Sequence, residues 1–394
     1  MVNIIVLLLV GLMGLASSVN AAGFRLAEQD AKATGMGNAF TAVADNASAV
    51  WYNPAAITSL EGTNVSLGTV MIMPTMEHKN EVGSTATDEI KKVTHTPPHF
   101  YATRKLSDQL SFGFGVNVPF GLSTEWEKTA NTKYVATKSE VQAVNYMLNG
   151  AYKLGDKLSF AAGLSYVSVN ATLNSMASPT LEAKLEGDGH GIGYNAAAMF
   201  KASDKLNFGV NFHSKVRADL EGSLTTTAAT PVKTALTLPD TLQIGVSHQC
   251  TDKWLFSVEA DYTDWTTYRS IVIHRKSDNA VLSTAVKNWK SVWAYRLGTE
   301  YKYSDTWKFR AGTFYDNNPV QEKYFETRVP DTDRVALSVG AGYTKGSITV
   351  DVSYMYLIFK ERKITDSIQD NANQLNGKYN STAQLPAITV GYKF

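Results

Sequence analysis

Short runs in which apolar and small or polar residues alternate dominate the chain. Leu110, Phe112, Phe114, Val116 and Val118 alternate with Ser111, Gly113, Gly115 and Asn117. Leu206, Phe208, Val210 and Phe212 alternate with Asn207, Gly209, Asn211 and His213. Trp254, Phe256, Val258, Ala260 and Tyr262 alternate with Leu255, Ser257, Glu259 and Asp261. A period of two sends successive side chains to opposite faces, so these runs predict strands with one apolar face. A short turn precedes each run. It reads Leu106-Ser107-Asp108-Gln109, Leu154-Gly155-Asp156-Lys157, Ala202-Ser203-Asp204-Lys205, Cys250-Thr251-Asp252-Lys253 and Tyr303-Ser304-Asp305-Thr306. A degenerate sixth copy is Tyr343-Thr344-Lys345-Gly346. Ser, Asp and Gly suit tight turns because they cap locally or tolerate left-handed backbone.

Longer polar segments lie between the turns, at 77–94, 121–140, 174–188, 222–238, 267–288, 317–332 and 361–384. Short and long connections therefore alternate, the asymmetry of an outer-membrane barrel with short periplasmic turns and long external loops. Six short turns separate seven strand pairs, which predicts an all-β, 14-stranded antiparallel transmembrane barrel. The last run, Ile388, Val390, Tyr392 and Phe394 on one face, would be a sticky edge in a soluble protein. Pairing it with the first strand, near Val65–Met73, closes the ring. A soluble solenoid or sandwich fits poorly with such long loops and such short turns.

Residues 22–61 differ. Gly35, Gly37, Asn38, Asn46, Asn53 and Pro54 interrupt any long element, and the alanines of Ala39–Ala49 permit short helical turns. A ring of 14 strands is too wide to be filled by its own side chains, and this compact segment can plug it. Before it, Ile4–Leu15 is an apolar run shorter than the ~20 residues of a spanning helix. Val19-Asn20-Ala21 supplies a small-residue cleavage site. No Lys or Arg precedes the run. The expected organisation is a signal peptide over 1–21, a plug over 22–61 and a barrel over 62–394.

Composition agrees. Charged residues are 19% and aromatics 11%, with 19 Tyr and 16 Phe, a mix suited to an apolar outer face with aromatic girdles. The net charge of +1 offers no basic field for nucleic acid. The single cysteine, Cys250, excludes an internal disulfide framework and a thiolate zinc cluster. His213 and Ser214 are adjacent on a strand, point to opposite faces and cannot form a nucleophile–base pair. No Gly-x-Ser-x-Gly motif occurs. No enzyme activity, metal or other cofactor is expected.

Several stretches then suggest a relationship. They are Ala22-Gly23-Phe24-Arg25-Leu26, Gly35-Met36-Gly37-Asn38-Ala39 and Asn53-Pro54-Ala55-Ala56. Phe120-Gly121-Leu122-Ser123-Thr124-Glu125-Trp126, Tyr262-Thr263-Asp264-Trp265 and Pro330-Asp331-Thr332-Asp333-Arg334 continue the series. In this order and spacing the chain resembles the long-chain fatty acid transporter family of outer-membrane proteins, which also includes toluene and xylene channels. The resemblance implies a monomeric barrel with an N-terminal hatch and passive uptake of hydrophobic molecules in the outer membrane of a Gram-negative bacterium. It also implies capture between two external loops and an inner pocket near the hatch N-terminus. Exit is sideways, at an inward kink of the third strand, with Asn53, Pro54 and Ala55 contacting that kink. Gly113, Gly115 and Pro119 sit on the inward face of this strand and suit a bend.

A fatty acid needs an apolar slot with one or two cationic or amide donors. The candidates are Leu181 and Leu185, whose spacing suits one face of a short helix, and Leu236 and Leu238 in the next loop. By the resemblance, Phe24 walls the inner pocket, with Arg25 beside it. Glu259, Asp261, Arg296, Glu300, Lys308, Arg310, Arg334 and Asp351 fall on inward positions. They can form a paired charge ladder, or Arg296 and Arg310 can hold a carboxylate. Expected partners are the hydrophobic ligand, fatty acid or aromatic hydrocarbon, together with lipopolysaccharide, phospholipid and, through Phe394, the barrel-assembly machinery. A polar porin would not need a plug, nor would an adhesin, and an energised receptor would carry a far larger one.

Overall fold

In a computed structural model, residues 23–81, 87–369 and 374–394 are described; the expected signal peptide lies outside them. Among the described residues fourteen antiparallel spans form one closed sheet. They are β1 (Thr63–Val70, continuing as Met73–Asn80), β2 (Thr87–Glu89 and Pro98–Lys105), β3 (Leu110–Glu125), β4 (Lys138–Leu154) and β5 (Leu158–Ser178). Next come β6 (Leu181–Ser203), β7 (Leu206–His213 and Val216–Thr225), β8 (Ala229–Leu238 and Thr241–Gln249) and β9 (Trp254–Thr263 and Ser270–Arg275). The ring ends with β10 (Val281–Val286 and Val292–Lys302), β11 (Trp307–Asp316), β12 (Arg334–Lys345), β13 (Ile348–Phe359 and Arg362–Ile364) and β14 (Gly377–Lys393). β14 pairs with β13 on one side. On the other it pairs with β1, in a register from Asn64–Lys393 to Val70–Ala387. The final strand is thus an edge in sequence only, as its apolar pattern predicts.

The alternation sorts side chains as expected. On β9 and β10, Ser257, Glu259, Asp261, Ala294, Arg296 and Glu300 are buried, while Phe256, Trp293, Tyr295 and Leu297 are exposed. Around the ring the exposed face carries Leu148, Leu164 (65% exposed) and Ile192 (72%). A soluble monomer does not expose a continuous apolar belt of this kind. Lipid supplies the missing contact. Aromatic residues flank the short turns: Tyr152 and Phe160, Phe200 and Phe208, Trp254 and Phe256, Trp307 and Phe309. A second aromatic level includes the ring pairs Tyr194–Phe212 and Tyr262–Trp293. The two levels are the interfacial girdles of a membrane barrel.

The long segments between turns are more regular than expected. β5 and β6 run on as a hairpin through 174–188, turning at Pro179-Thr180, and β7 and β8 do the same through 222–238. The helix expected for Leu181 and Leu185 is absent. This stretch is strand, because Leu185 finds cross-strand partners in Leu173 and Leu224. Both leucines still share a face, since spacing of four also preserves the side in a strand.

Residues 23–60 fold against the inward faces of the ring. Helix α1 (Ala31–Gly35) is capped by Asp30, whose carboxylate accepts from Ala33 N. Helix α2 (Ala49–Tyr52) leads into a 3-10 turn, Pro54–Ser59, capped by Asn53. Helical turns thus flank the 39–49 stretch instead of filling it. Glycines on the strands let backbone meet backbone. A Cβ on Gly312 would lie 2.2 Å from Gly37 N, and one on Gly209 2.3 Å from Thr41 O. Gly37 itself has φ +63 and abuts Thr313 N. Gly312→Val should therefore loosen the segment at a cost of about 2 kcal/mol. Limited proteolysis of the detergent-solubilised barrel should then cut within 23–60, and protection equal to the parent's would refute the close packing.

Candidate functional site

The third strand carries a break. β3 pairs with β4 in register down to Asn117–Asn145, then resumes one residue out at Phe120–Ala143. Its pairing with β2 stops at Phe100–Val116. One surplus residue on β3 makes this a β-bulge. Buried backbone groups of the bulge must find partners that the neighbouring strands no longer supply, and the N-terminal segment supplies them. Leu26 N donates to Pro119 O at 2.8 Å, and Gly121 N donates to Phe24 O at 3.0 Å. The Gln29 side chain donates to Val118 O at 2.9 Å and accepts from Val118 N at 3.3 Å. Pro119 lies in the bulge. Gly113 and Gly115 lie in regularly paired strand beneath it, where a Cβ would meet Val50 at 2.7 Å and 3.1 Å. They serve close approach of the N-terminal segment.

Phe24 stands at the centre of an aromatic cage. Its ring centroid is 4.7 Å from Trp265, 5.7 Å from Tyr268, 5.8 Å from Trp289 and 6.2 Å from Phe120. Gly23 has φ +67 and touches the same tryptophans, and its N–H donates to Asp331 Oδ2 at 2.7 Å. Burial pushes the Asp331 carboxyl up to about 7.

Two cavities meet at Phe24. One, of about 60 Å³, is apolar and lies beneath the long hairpins, lined by Leu122, Leu173, Leu185, Leu220, Leu236 and Tyr268. The other, of about 470 Å³, runs from Phe24 past the bulged part of β3 to Met76, His95 and Pro97. Leu122, Val141 and Val329 also border both. Of the candidate leucines, Leu185 and Leu236 line the first cavity. Leu238 lines a smaller one with Arg25, Trp51 and Phe120. Leu181 sits at the hairpin tip opposite Ser178, outside all three.

Arg296 and Arg310 do not reach these cavities. Arg296 Nε lies 2.9 Å from Asp261, which also holds Arg25 at 3.2 Å. Arg310 bridges Glu300 at 2.7 Å and Asp351 at 2.6 Å. Glu300 further binds Lys308 and, at 3.3 Å, Lys32 of the N-terminal segment. The inward charges form the paired ladder, with Arg25 and Lys32 as the segment's two rungs. Asn53 donates to Thr41 O at 2.9 Å and to Ala198 O on β6 at 3.1 Å. It stands against β6 and β7, not at the bulge. Pro54 and Ala55 continue its buried 3-10 turn.

Arg328 has no role in the sequence reading, yet it lines the apolar cavity. Its Nη1 donates to Asn174 O and Ser139 Oγ. Among the described residues its Nε and Nη2 have no partner. Neighbouring Glu326 is already paired with buried Lys287, which leaves the Arg328 guanidinium at the cavity wall beside Val329 and Tyr268. Burial lowers its pKa. Nothing in the local pattern around Thr327-Arg328-Val329 marks it, because the loop, not a strand period, aims it inward.

The model of the outer membrane protein transport protein family (OMPP1/FadL/TodX) matches residues 12–394. The chain belongs to this family. Similar relatives include a long-chain fatty acid transport protein of Salmonella typhi, 26% identical over 384 residues, covering 85% of this chain and 88% of the relative. Outer membrane protein P1 of Haemophilus influenzae is 26% identical and covers 95% of each chain. Among solved structures, a Pseudomonas aeruginosa FadL homologue superposes with TM-score 0.85 at 18% identity, covering 95% of this chain and 100% of that one. The Ralstonia pickettii toluene transporter TbuX gives 0.72 at 16% identity, over 93% and 98%. This FadL-family chain is thus an outer-membrane protein of a Gram-negative type, in a family of passive channels for hydrophobic substrates.

In this member the ladder ties segment to wall. Glu300→Gln would leave Lys32, Lys308 and Arg310 without a shared carboxylate. Removing one partner of a buried ionic cluster costs about 3 kcal/mol. A denaturant midpoint in detergent unchanged from the parent's would show the ladder to be mechanically idle.

Proposed function

We propose that the chain carries long-chain fatty acids passively across the outer membrane. The N-terminal segment, residues 22–61, acts as a hatch inside the 62–394 barrel after removal of residues 1–21. The apolar cavity beneath the hairpins receives the acyl tail as Phe24 moves aside and widens it, and Arg328 holds the carboxylate. Displacement of Phe24 joins that cavity to the larger one along β3, and the ligand leaves sideways at the bulge around Pro119. The supporting observation is that Phe24 borders both cavities while its own backbone completes the bulge. Moving the first few residues of the segment opens the route and frees the bulge together.

The cage of Phe24, Trp265, Tyr268 and Trp289 favours a second ligand class, small aromatic hydrocarbons. A cation at an apolar wall favours the acid, because an ion left unpaired there is costly. Competition against labelled oleate in detergent separates them. Oleic acid should outcompete both its methyl ester and toluene. Arg328→Gln should weaken the acid about tenfold, the value of one charge-assisted hydrogen bond, and leave the ester unchanged. Equal losses for acid and ester would remove Arg328 from the headgroup role, and toluene competing best would favour the aromatic reading.

A further inference from the structure

The ring has a second irregularity, between β8 and β9. Thr241 pairs with Thr263, and the strands meet again at Lys233–His274 and Val232–Arg275. Between Thr241 and Val232 the chain takes nine steps on β8, but between Thr263 and Arg275 it takes twelve on β9. The surplus folds inward as the 3-10 turn Trp265–Thr267, which delivers Trp265 and Tyr268 to the cage around Phe24. The wall is left open as a result. Between the Asp264 N–Asp240 O bond and the Lys233–His274 pair, no backbone hydrogen bond joins the two strands among the described residues. One threonine hydroxyl spans the gap instead, Thr234 Oγ1 donating to Val272 O at 2.8 Å; Thr267 Oγ1, which donates to Asp264 O at 3.2 Å, lies 3.5 Å from Thr237 O across it.

The apolar cavity lies directly inside the gap, where Leu236, Tyr268 and Ile271 line it. Outside is a polar recess of about 720 Å³ that includes Arg217, Thr237, Arg269 and Ser270. Leu220, Glu221, Lys233, Thr234 and Ala235 border both volumes. The recess sits just beyond the Tyr262–Trp293 and Tyr194–Phe212 ring pairs, at headgroup level. Its charges are unequally satisfied. Arg217 pairs with Asp219, and Glu221 with Lys276. Arg269 Nε donates to Thr266 O. Lys233 has no ion-pair partner among the described residues.

We propose that this gap is a side entrance from the outer-leaflet interface into the apolar cavity, with Lys233 on its threshold taking the carboxylate of an amphiphile whose tail enters first. It rests on the hydrophobic-uptake reading and adds a route distinct from the exit at β3. The structural requirement is small. One side-chain hydrogen bond, contributing roughly 1 kcal/mol net, and the longer Thr267–Thr237 contact bridge the gap, so thermal motion opens it without disturbing the paired ring on either side.

Thr237→Cys with Thr267→Cys, in a Cys250→Ser background, places thiols across the gap for a short bis-methanethiosulfonate bridge that reductant removes. Cells lacking their own transporter and expressing this variant should take up labelled oleate at least fivefold more slowly when bridged. Reductant should restore the rate, and each single-cysteine variant should be insensitive to the reagent. The purified bridged protein should still bind oleate, with its heat-modifiable migration intact. Unchanged uptake in bridged cells would overturn the entrance while leaving transport itself standing. An unbridged protein that neither binds nor admits oleate would overturn both.

Discussion

A lipid bilayer offers no hydrogen bonds, so every backbone group of a spanning strand must be answered by protein. That constraint orders the whole molecule. It requires the closed ring in which β14 meets β1, and it makes any break in the ring a structural event that needs a remedy. The break in β3 is remedied by the N-terminal segment, whose Phe24, Leu26 and Gln29 bond to Val118, Pro119 and Gly121. The opening between β8 and β9 lies outside the aromatic girdle, where headgroups and water can answer for exposed carbonyls.

The lumen solves a different problem. Ten or so charges brought out of water would oppose folding, but Asp261, Glu300 and Asp351 neutralise the cations around them. Isolated ion pairs of this kind contribute little net stability. Their value is geometric. Arg25 and Lys32 reach carboxylates on the barrel wall, and the glycines at Gly209 and Gly312 set the distance at which they do so.

Much of this was legible in the chain. The period of two, the six short turns and the terminal Phe394 predict the number of strands, the direction each face looks and the closing pair. These are local properties, written within a few residues of one another. The inward positions of Arg296 and Arg310 were legible for the same reason, but their partners were not, since Asp261 and Asp351 sit on other strands. The helix expected at Leu181–Leu185 gave way to strand because Leu173 and Leu224, distant in sequence, decide the pairing. Arg328 and Trp289 carry no signal in the sequence, and Trp265 only that of a family match, because they lie in irregular segments, where no periodicity reports which way a side chain faces. The bend in β3 is expected from the resemblance and Pro119, but the break between β8 and β9 is not, being a count of residues on neighbouring strands that no single stretch contains.

The near-contact of Gly37 with Gly312, and of Thr41 with Gly209, has a consequence for the cell. With no side chain between the two backbones, the body of the N-terminal segment has no slack through which to slide. On the proposed route a cargo molecule would pass by displacing a few terminal residues while the rest of the segment stays seated. Ions and water would then gain no continuous bore, and the envelope would keep its permeability barrier throughout a transport event.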